Sequence, residues 1–214
     1  MNSIFDQIAR IGIVPVIKLE SPGSALSLGK ALLAGGLPVA EVTFRTKAAA
    51  ESILALRKAY PALITGAGTV LTIEQAEAAI AAGASYIVTP GFNPRVVDFC
   101  ISKGMPIVPG VNSPSQIEQG LERGLSLLKF FPAEASGGVA MLKALHGPYA
   151  EVTFIPTGGV EMANLKDYLS LSYVAAVGGT WMVKEDLINS GRFDVVEELC
   201  REAVHLVLQY RSAT

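Results

Sequence analysis

The chain has 214 residues, 50% of them hydrophobic and 17% charged, an apolar content that rules out intrinsic disorder. Its 17 basic and 19 acidic side chains lack the cationic excess of a nucleic-acid or anionic-membrane binder. Length alone allows one large core, so a single domain over residues 1–214 is expected.

Residues 2–12, NSIFDQIARIG, carry the pattern of a short helix and lack the basic start and apolar run of a secretory leader. A cytoplasmic location is expected, and because no stretch of eighteen apolar residues follows, no membrane partner. Short apolar or β-branched runs then begin near Ile13, Val39, Leu63, Tyr86, Pro106, Leu127, Val152 and Val174, with helical patterns between most of them. Apolar strands alternating with amphipathic helices call for a parallel sheet covered by helices, since right-handed crossovers place the helices on its faces. Eight such units predict an α/β fold of the closed (β/α)8 TIM-barrel type, with the N-terminal helix across the opposite mouth. An open doubly wound sheet is the alternative.

Gly23 to Ala31 is one residue too long for a P-loop and lacks its Ser/Thr. Along Val39-Ala40-Glu41-Val42-Thr43-Phe44-Arg45 the two-residue period gathers Glu41, Thr43 and Arg45 on one face. They form either a self-satisfying internal Glu–Arg pair or an acid, a hydroxyl and a guanidinium facing a site. Gly66-Ala67-Gly68 continues to Leu71 where a dinucleotide fingerprint needs a third glycine, so no nucleotide cofactor is expected. Thr72 to Ala82 and Ser113 to Arg123 open on a hydroxyl, place Glu or Gln near the first turn and lead to Gly83 and Gly124, which predicts capped helices.

Proline punctuates the strand exits at Val88-Thr89-Pro90-Gly91, Val108-Pro109-Gly110, Phe130-Phe131-Pro132 and Ile155-Pro156-Thr157-Gly158. It cannot donate to a ladder, so each proline marks a place where pairing stops. These exits define the carboxyl end of the strands, where barrel enzymes keep their active sites.

Lys129 is the single charge in Leu127-Leu128-Lys129-Phe130-Phe131-Pro132. Apolar burial disfavours an ammonium, and an uncharged amine is a nucleophile; a lysine merely paired with a carboxylate is the other reading. Pro156-Thr157-Gly158-Gly159 and Gly178-Gly179-Thr180 let the backbone approach an anion with several N–H donors, at the turns where this fold commonly holds phosphate. Tight turns are the alternative. Trp181 reads as core packing, with stacking on the substrate as the alternative. Cys100 and Cys200 lack zinc or redox spacing and read as small buried hydrophobes. His146 and His205 are the only histidines, too few for a His-rich site, and no metal is expected.

These residues together resemble the class I bacterial aldolases that cleave 2-keto-3-deoxy-6-phosphogluconate (KDPG), several of which also cleave 4-hydroxy-2-oxoglutarate (KHG). The resemblance runs over nearly the whole chain. Its most specific pieces are Glu41-Val42-Thr43-Phe44-Arg45-Thr46, Gly66-Ala67-Gly68-Thr69-Val70, Lys129-Phe130-Phe131-Pro132-Ala133-Glu134 and Pro156-Thr157-Gly158-Gly159. It implies Lys129 as the Schiff-base lysine and Glu41 as the general acid and base. It further implies Arg45 and Thr69 on the pyruvyl carboxylate, Pro90 and Phe131 along the pocket wall, and Thr157, Gly158, Gly159, Gly179 and Thr180 around a phosphate. Thr180 stands where the family usually has serine, which keeps a hydroxyl and adds a methyl.

The implied reaction is the reversible cleavage of KDPG to pyruvate and glyceraldehyde 3-phosphate, with KHG, split to pyruvate and glyoxylate, as a second substrate. No cofactor is implied, the partner is a small keto-acid phosphate, and the assembly is a homotrimer. Three alternatives stay open: a phosphogalactonate aldolase, although those lack the Phe-Arg-Thr ending of the glutamate strand; a phosphate-binding barrel isomerase or epimerase with no covalent lysine; and a sugar-phosphate-binding regulator in which Lys129 and Glu41 simply pair.

Overall fold

The computed structural model describes residues 3–211; Asn2, the first residue of the expected helical stretch, and the two ends of the expected domain lie outside them. Helix α1 (Ile4–Ile11) opens on a reciprocal cap, in which the Ser3 hydroxyl accepts from the Asp6 amide while the Asp6 carboxylate accepts from the Ser3 amide. It stops at Gly12, whose φ of 78° lies in the left-handed region where glycine carries no Cβ penalty.

The strands that follow are β1 (Ile13–Ile17), β2 (Val39–Thr43), β3 (Ile64–Gly68), β4 (Ile87–Val88), β5 (Ile107–Val108), β6 (Gly110–Val111), β7 (Leu127–Phe130), β8 (Thr153–Pro156) and β9 (Val177–Gly179). Between them run α2 (Ala25–Ala34), α3 (Ala49–Ala59), α4 (Ile73–Ala81), α5 (Pro94–Ser102), α6 (Pro114–Leu121), α7 (Gly138–His146) and α8 (Leu165–Leu169); α9 (Glu185–Asn189) and α10 (Phe193–Arg211) close the chain. All named pairings are parallel. They form one sheet in the order β5-β4-β3-β2-β1-β9 and another in the order β6-β7-β8. Isolated bridges from Phe154 to Val174 and from Thr157 to Gly178 tie the β8 edge to the chain entering and forming β9. The result is an α/β fold around a curled parallel sheet.

Both strand faces are buried, as a sheet covered by helices requires. Leu128, Phe130 and Phe154 are fully buried among apolar neighbours. Glu41, Thr43 and Lys129 are buried too, and they occupy the alternate positions of β2 and β7. Cys100 and Cys200 are buried and unpaired, and burial raises their thiols to about 11 and about 12. Among the described residues no helix is long and apolar enough to cross a membrane.

Three local expectations need correction. Pairing does not stop at Pro109: β6 resumes at Gly110, and the Pro109 carbonyl accepts from the Lys129 amide at 2.9 Å. Proline lacks the ladder donor but keeps the acceptor. Strand β2 ends at Thr43, so Arg45 sits in the following turn. Val174 makes only an isolated bridge, and the last strand begins at Val177.

The capping of the two helices also differs from a simple hydroxyl cap. Thr72 accepts from the Gln75 amide, whereas Ser113 makes no such bond to the backbone. In both helices the glutamine at the third position reaches one residue further back: Gln75 Oε1 accepts from the Leu71 amide at 2.7 Å, and Gln116 Oε1 from the Asn112 amide at 2.8 Å.

Candidate active site

Lys129 on β7 and Glu41 on β2 stand 88 residues apart in sequence and meet inside the curl, with Lys129 Nζ 3.4 Å from Glu41 Oε1. Both side chains are only 5% exposed. Two glycines make room for them. A Cβ on Gly68 would collide with the Glu41 carboxylate, and one on Gly66 would enter the Tyr86 ring. Packing across the sheet therefore requires Gly66 and Gly68 in the Gly66-Ala67-Gly68 run. Burial, then the negative charge of Glu41, pushes the Tyr86 phenol well above its ordinary value.

Below the pair lies a cavity of about 10 Å³ bordered by Glu41, Lys129, Tyr86 and Ile8 of α1, scarcely enough for one water. Ile8 is 1% exposed. Above the pair opens a pocket of about 210 Å³. Lys129, Arg45, Thr69, Pro90, Phe131, Thr157, Gly158, Gly159, Gly179 and Thr180 all line it, so the structure brings together every expected site residue except Glu41. That carboxylate lies beneath the floor of the pocket, in contact through Lys129. Val16, Val160 and Gly178 also line the pocket; two are ordinary apolar residues that carried no signal in the sequence.

The self-satisfying Glu41–Arg45 pair is not formed, because Glu41 pairs with Lys129. Arg45 is instead steered by a relay: its Nε donates to Thr43 Oγ1 at 3.1 Å, and that hydroxyl donates to the Ile17 carbonyl at 2.8 Å. Among the described residues no carboxylate forms an ion pair with Arg45, which leaves the fork of its guanidinium for a ligand. Thr69 has a φ of 55°. A β-branched residue is a clear outlier there, and such strain concentrates at functional sites.

Three successive carbonyls of the loop after β8 are tied down by hydrogen bonds. The Thr157 carbonyl accepts from the Ala133 amide at 2.8 Å, the Gly158 carbonyl from the Glu134 amide at 3.0 Å, and the Gly159 carbonyl from Asn164 Nδ2 at 3.0 Å. In a trans peptide the N–H points away from the C=O, so each of the amides of Gly158, Gly159 and Val160 points away from the contact that holds its own peptide plane. None of these three amides donates a hydrogen bond among the described residues. Gly158 and Gly159 have φ values of 95° and 80°, a conformation that favours glycine. Consecutive free N–H groups in a concave turn form an anion-binding nest. Across the pocket, a Cβ on Gly178 would strike the Thr157 hydroxyl and one on Gly179 the Trp181 ring. Trp181 is 6% exposed and packs as core.

Among the described residues no group of three or more His, Cys, Asp or Glu side chains gathers as a metal site. His146 stacks on Tyr173 with ring centroids 3.6 Å apart, and His205 lies in α10. An amine touching a carboxylate, an unpaired guanidinium and an array of free amides, all around one pocket, suit an iminium reaction on a carbonyl compound that is anionic at both ends.

Comparisons with known proteins agree across nearly the whole chain. The family model described as KDPG and KHG aldolase matches residues 4–199. A 2-dehydro-3-deoxy-phosphogluconate aldolase of Treponema pallidum is 48% identical, covering 97% of this chain and 99% of the relative. A KHG/KDPG aldolase of Escherichia coli K12 is 42% identical, with 90% of each chain covered. A solved KDPG aldolase of Legionella pneumophila, with pyruvate captured at low pH as a covalent carbinolamine intermediate, superposes with a TM-score of 0.90. It is 38% identical and covers 94% of this chain and 98% of that one.

Proposed function

The chain belongs to the KDPG and KHG aldolase family, and from that premise we propose that its pocket performs a Schiff-base aldol cleavage with Lys129 as the nucleophile. The enzyme is a carbon–carbon lyase that cleaves KDPG reversibly to pyruvate and glyceraldehyde 3-phosphate. The observation that carries the residue assignment is the position of Lys129 Nζ, 3.4 Å from a buried carboxylate on one side and open to the pocket on the other. A lysine kept only for an internal ion pair has no need of a substrate-sized opening.

In this reading Arg45 and Thr69 hold the carboxylate at C1, and Nζ attacks the ketone at C2. Loss of water from the carbinolamine gives an iminium. Glu41 takes the proton of the C4 hydroxyl, the C3–C4 bond breaks, and its electron pair flows into the iminium to leave a neutral enamine. The aldehyde then departs. Glu41 returns the proton to C3, and water hydrolyses the iminium to release pyruvate and free Lys129. Because Glu41 lies below the pocket floor, its exchange with the C4 hydroxyl runs through a bridging water. Pro90 and Phe131 wall the reacting carbons. The phosphate sits on the amides of Gly158 and Gly159, with Thr157, Gly179 and Thr180 completing the cup.

KHG ends in a carboxylate at C5, so it uses the same keto-acid end and leaves the phosphate cup empty. We read the sheet as a (β/α)8 barrel in which β5 and β6 are one strand running through Pro109 and the two isolated bridges complete the ring. We also read residues 1–214 as one domain, acting in the cytoplasm as a homotrimer on a small keto-acid phosphate. The resemblance to the family supports the assembly and the location.

Borohydride reduction in the presence of pyruvate tests the covalent role. A reduced pyruvyl adduct is expected on Lys129 by peptide mass spectrometry, and Lys129→Ala is expected to retain less than about a thousandth of wild-type turnover. An active enzyme with Lys129 unmodified would refute the assignment.

A further inference from the structure

We propose that Asn164 and the Glu134–Tyr168 pair are positioning residues that aim the free amides of Gly158, Gly159 and Val160, and thereby set affinity for the phosphate end of the substrate alone. The inference rests on the reading of that loop as the phosphate cup. None of the three side chains lines the pocket, yet each is fastened to the loop that does.

Asn164 holds the loop at two points, its Nδ2 donating to the Gly159 carbonyl at 3.0 Å and its Oδ1 accepting from the Glu161 amide at 2.8 Å. The first contact fixes the peptide plane whose other edge carries the Val160 amide. Glu134 holds the preceding plane, its amide donating to the Gly158 carbonyl at 3.0 Å. Its stem lies flat against Gly159, where an added Cβ would come within 2.7 Å of the Glu134 Cβ and Cγ.

Glu134 itself is exposed, and an exposed glutamate would not ordinarily stay in one rotamer. Here its carboxylate accepts a hydrogen bond from the Tyr168 hydroxyl. Tyr168 lies on α8 and is fully buried. Burial, then the hydrogen bond to Glu134, raises its phenol, so the hydroxyl stays protonated and remains a donor. The loop is thus clamped between the chain leaving β7 and the helix it leads into. Two consecutive glycines in the left-handed region have many alternatives available when unfastened, and an amide turned out of the nest no longer meets an anion.

At the keto-acid end, Lys129 and Arg45 have their own fastenings to Glu41 and Thr43 and share none of these contacts. The two ends of the substrate should therefore respond separately. Asn164→Ala and Tyr168→Phe, made in the full chain, are compared with wild type in three measurements: KM for KDPG, inhibition by inorganic phosphate, and the rate of borohydride trapping with pyruvate. KM for KDPG and the phosphate inhibition constant are expected to rise about tenfold, the scale of one lost hydrogen bond to a charged group, with trapping unchanged. Asn164→Asp, which keeps an acceptor for Glu161 but loses the donor to Gly159, should match Asn164→Ala and guards against a folding defect in either variant. Slowing of pyruvate trapping in step with the rise in KM would mark a merely structural role and overturn the proposal, as would unchanged phosphate inhibition in the variants. Wild-type enzyme indifferent to phosphate would overturn the cup itself, a result distinct from a phosphate-sensitive wild type whose variants behave alike.

Discussion

Gly68 shapes the Lys129–Glu41 pair as directly as any charged residue. A methyl there collides with the Glu41 carboxylate, and a catalytic group displaced by about 1 Å costs on the order of a hundredfold in rate. Gly68→Ala is expected to lower kcat by about that factor while pyruvate can still be trapped on Lys129, as steady-state kinetics and borohydride reduction would show. Arg45→Lys should raise KM for pyruvate about tenfold in the condensation direction, because an ammonium cannot grip a carboxylate with two parallel bonds. Lys129 stood out in the sequence as the single charge of an apolar run, and Glu41 as one of three polar side chains on one face of its strand. Their 3.4 Å contact depends on strand register, which no spacing along the chain reveals. The reason for Gly66 and Gly68 was equally hidden, since the atoms that crowd them belong to Tyr86 and Glu41. The positive φ of Thr69 had no signal at all, since glycine or asparagine is the residue that announces such a backbone.

At the scale of elements, the apolar runs located the strands to within a few residues, because a sheet buried on both faces leaves little freedom in composition. The errors fell where one atom decides. Pro109 was read as the end of a strand for lack of its N–H, while its carbonyl continued the ladder to Lys129. The two predicted caps illustrate the same limit. Thr72 bonds the helix backbone and Ser113 does not, although their sequence contexts are alike. Thr72→Ala is therefore expected to lower unfolding free energy by about 1 kcal/mol, and Ser113→Ala by no more than a few tenths. Urea titration of the two variants would separate them. The nest loop also belongs to this scale, since its glycine doublet was visible in the chain but its fastenings to Ala133, Glu134 and Asn164 were not.

For the whole molecule, alternation of strand and helix was enough to call for a parallel α/β arrangement, and the closed form expected of eight units makes the first and last strands neighbours. Strand β1 pairs with both β2 and β9, so the first and last strands of the chain are neighbours. Arg211 reinforces that seam from the end of α10, its guanidinium donating to the carbonyls of Ala9 and Ala175. Burial lowers its affinity for the proton, yet an arginine remains charged, and charge-assisted bonds of this kind contribute about 2 kcal/mol. Arg211→Ala is expected to lower the thermal midpoint by about 4 to 8 °C for a chain of this size, as calorimetry would record, with turnover at low temperature preserved. Helix α1, held in the same seam, presses Ile8 beneath the Lys129–Glu41 pair. The pocket is therefore stopped from below, at its Lys129 end. With the keto acid bonded to Lys129 as proposed, the aldehyde fragment is the outer of the two products and is expected to clear before pyruvate can follow.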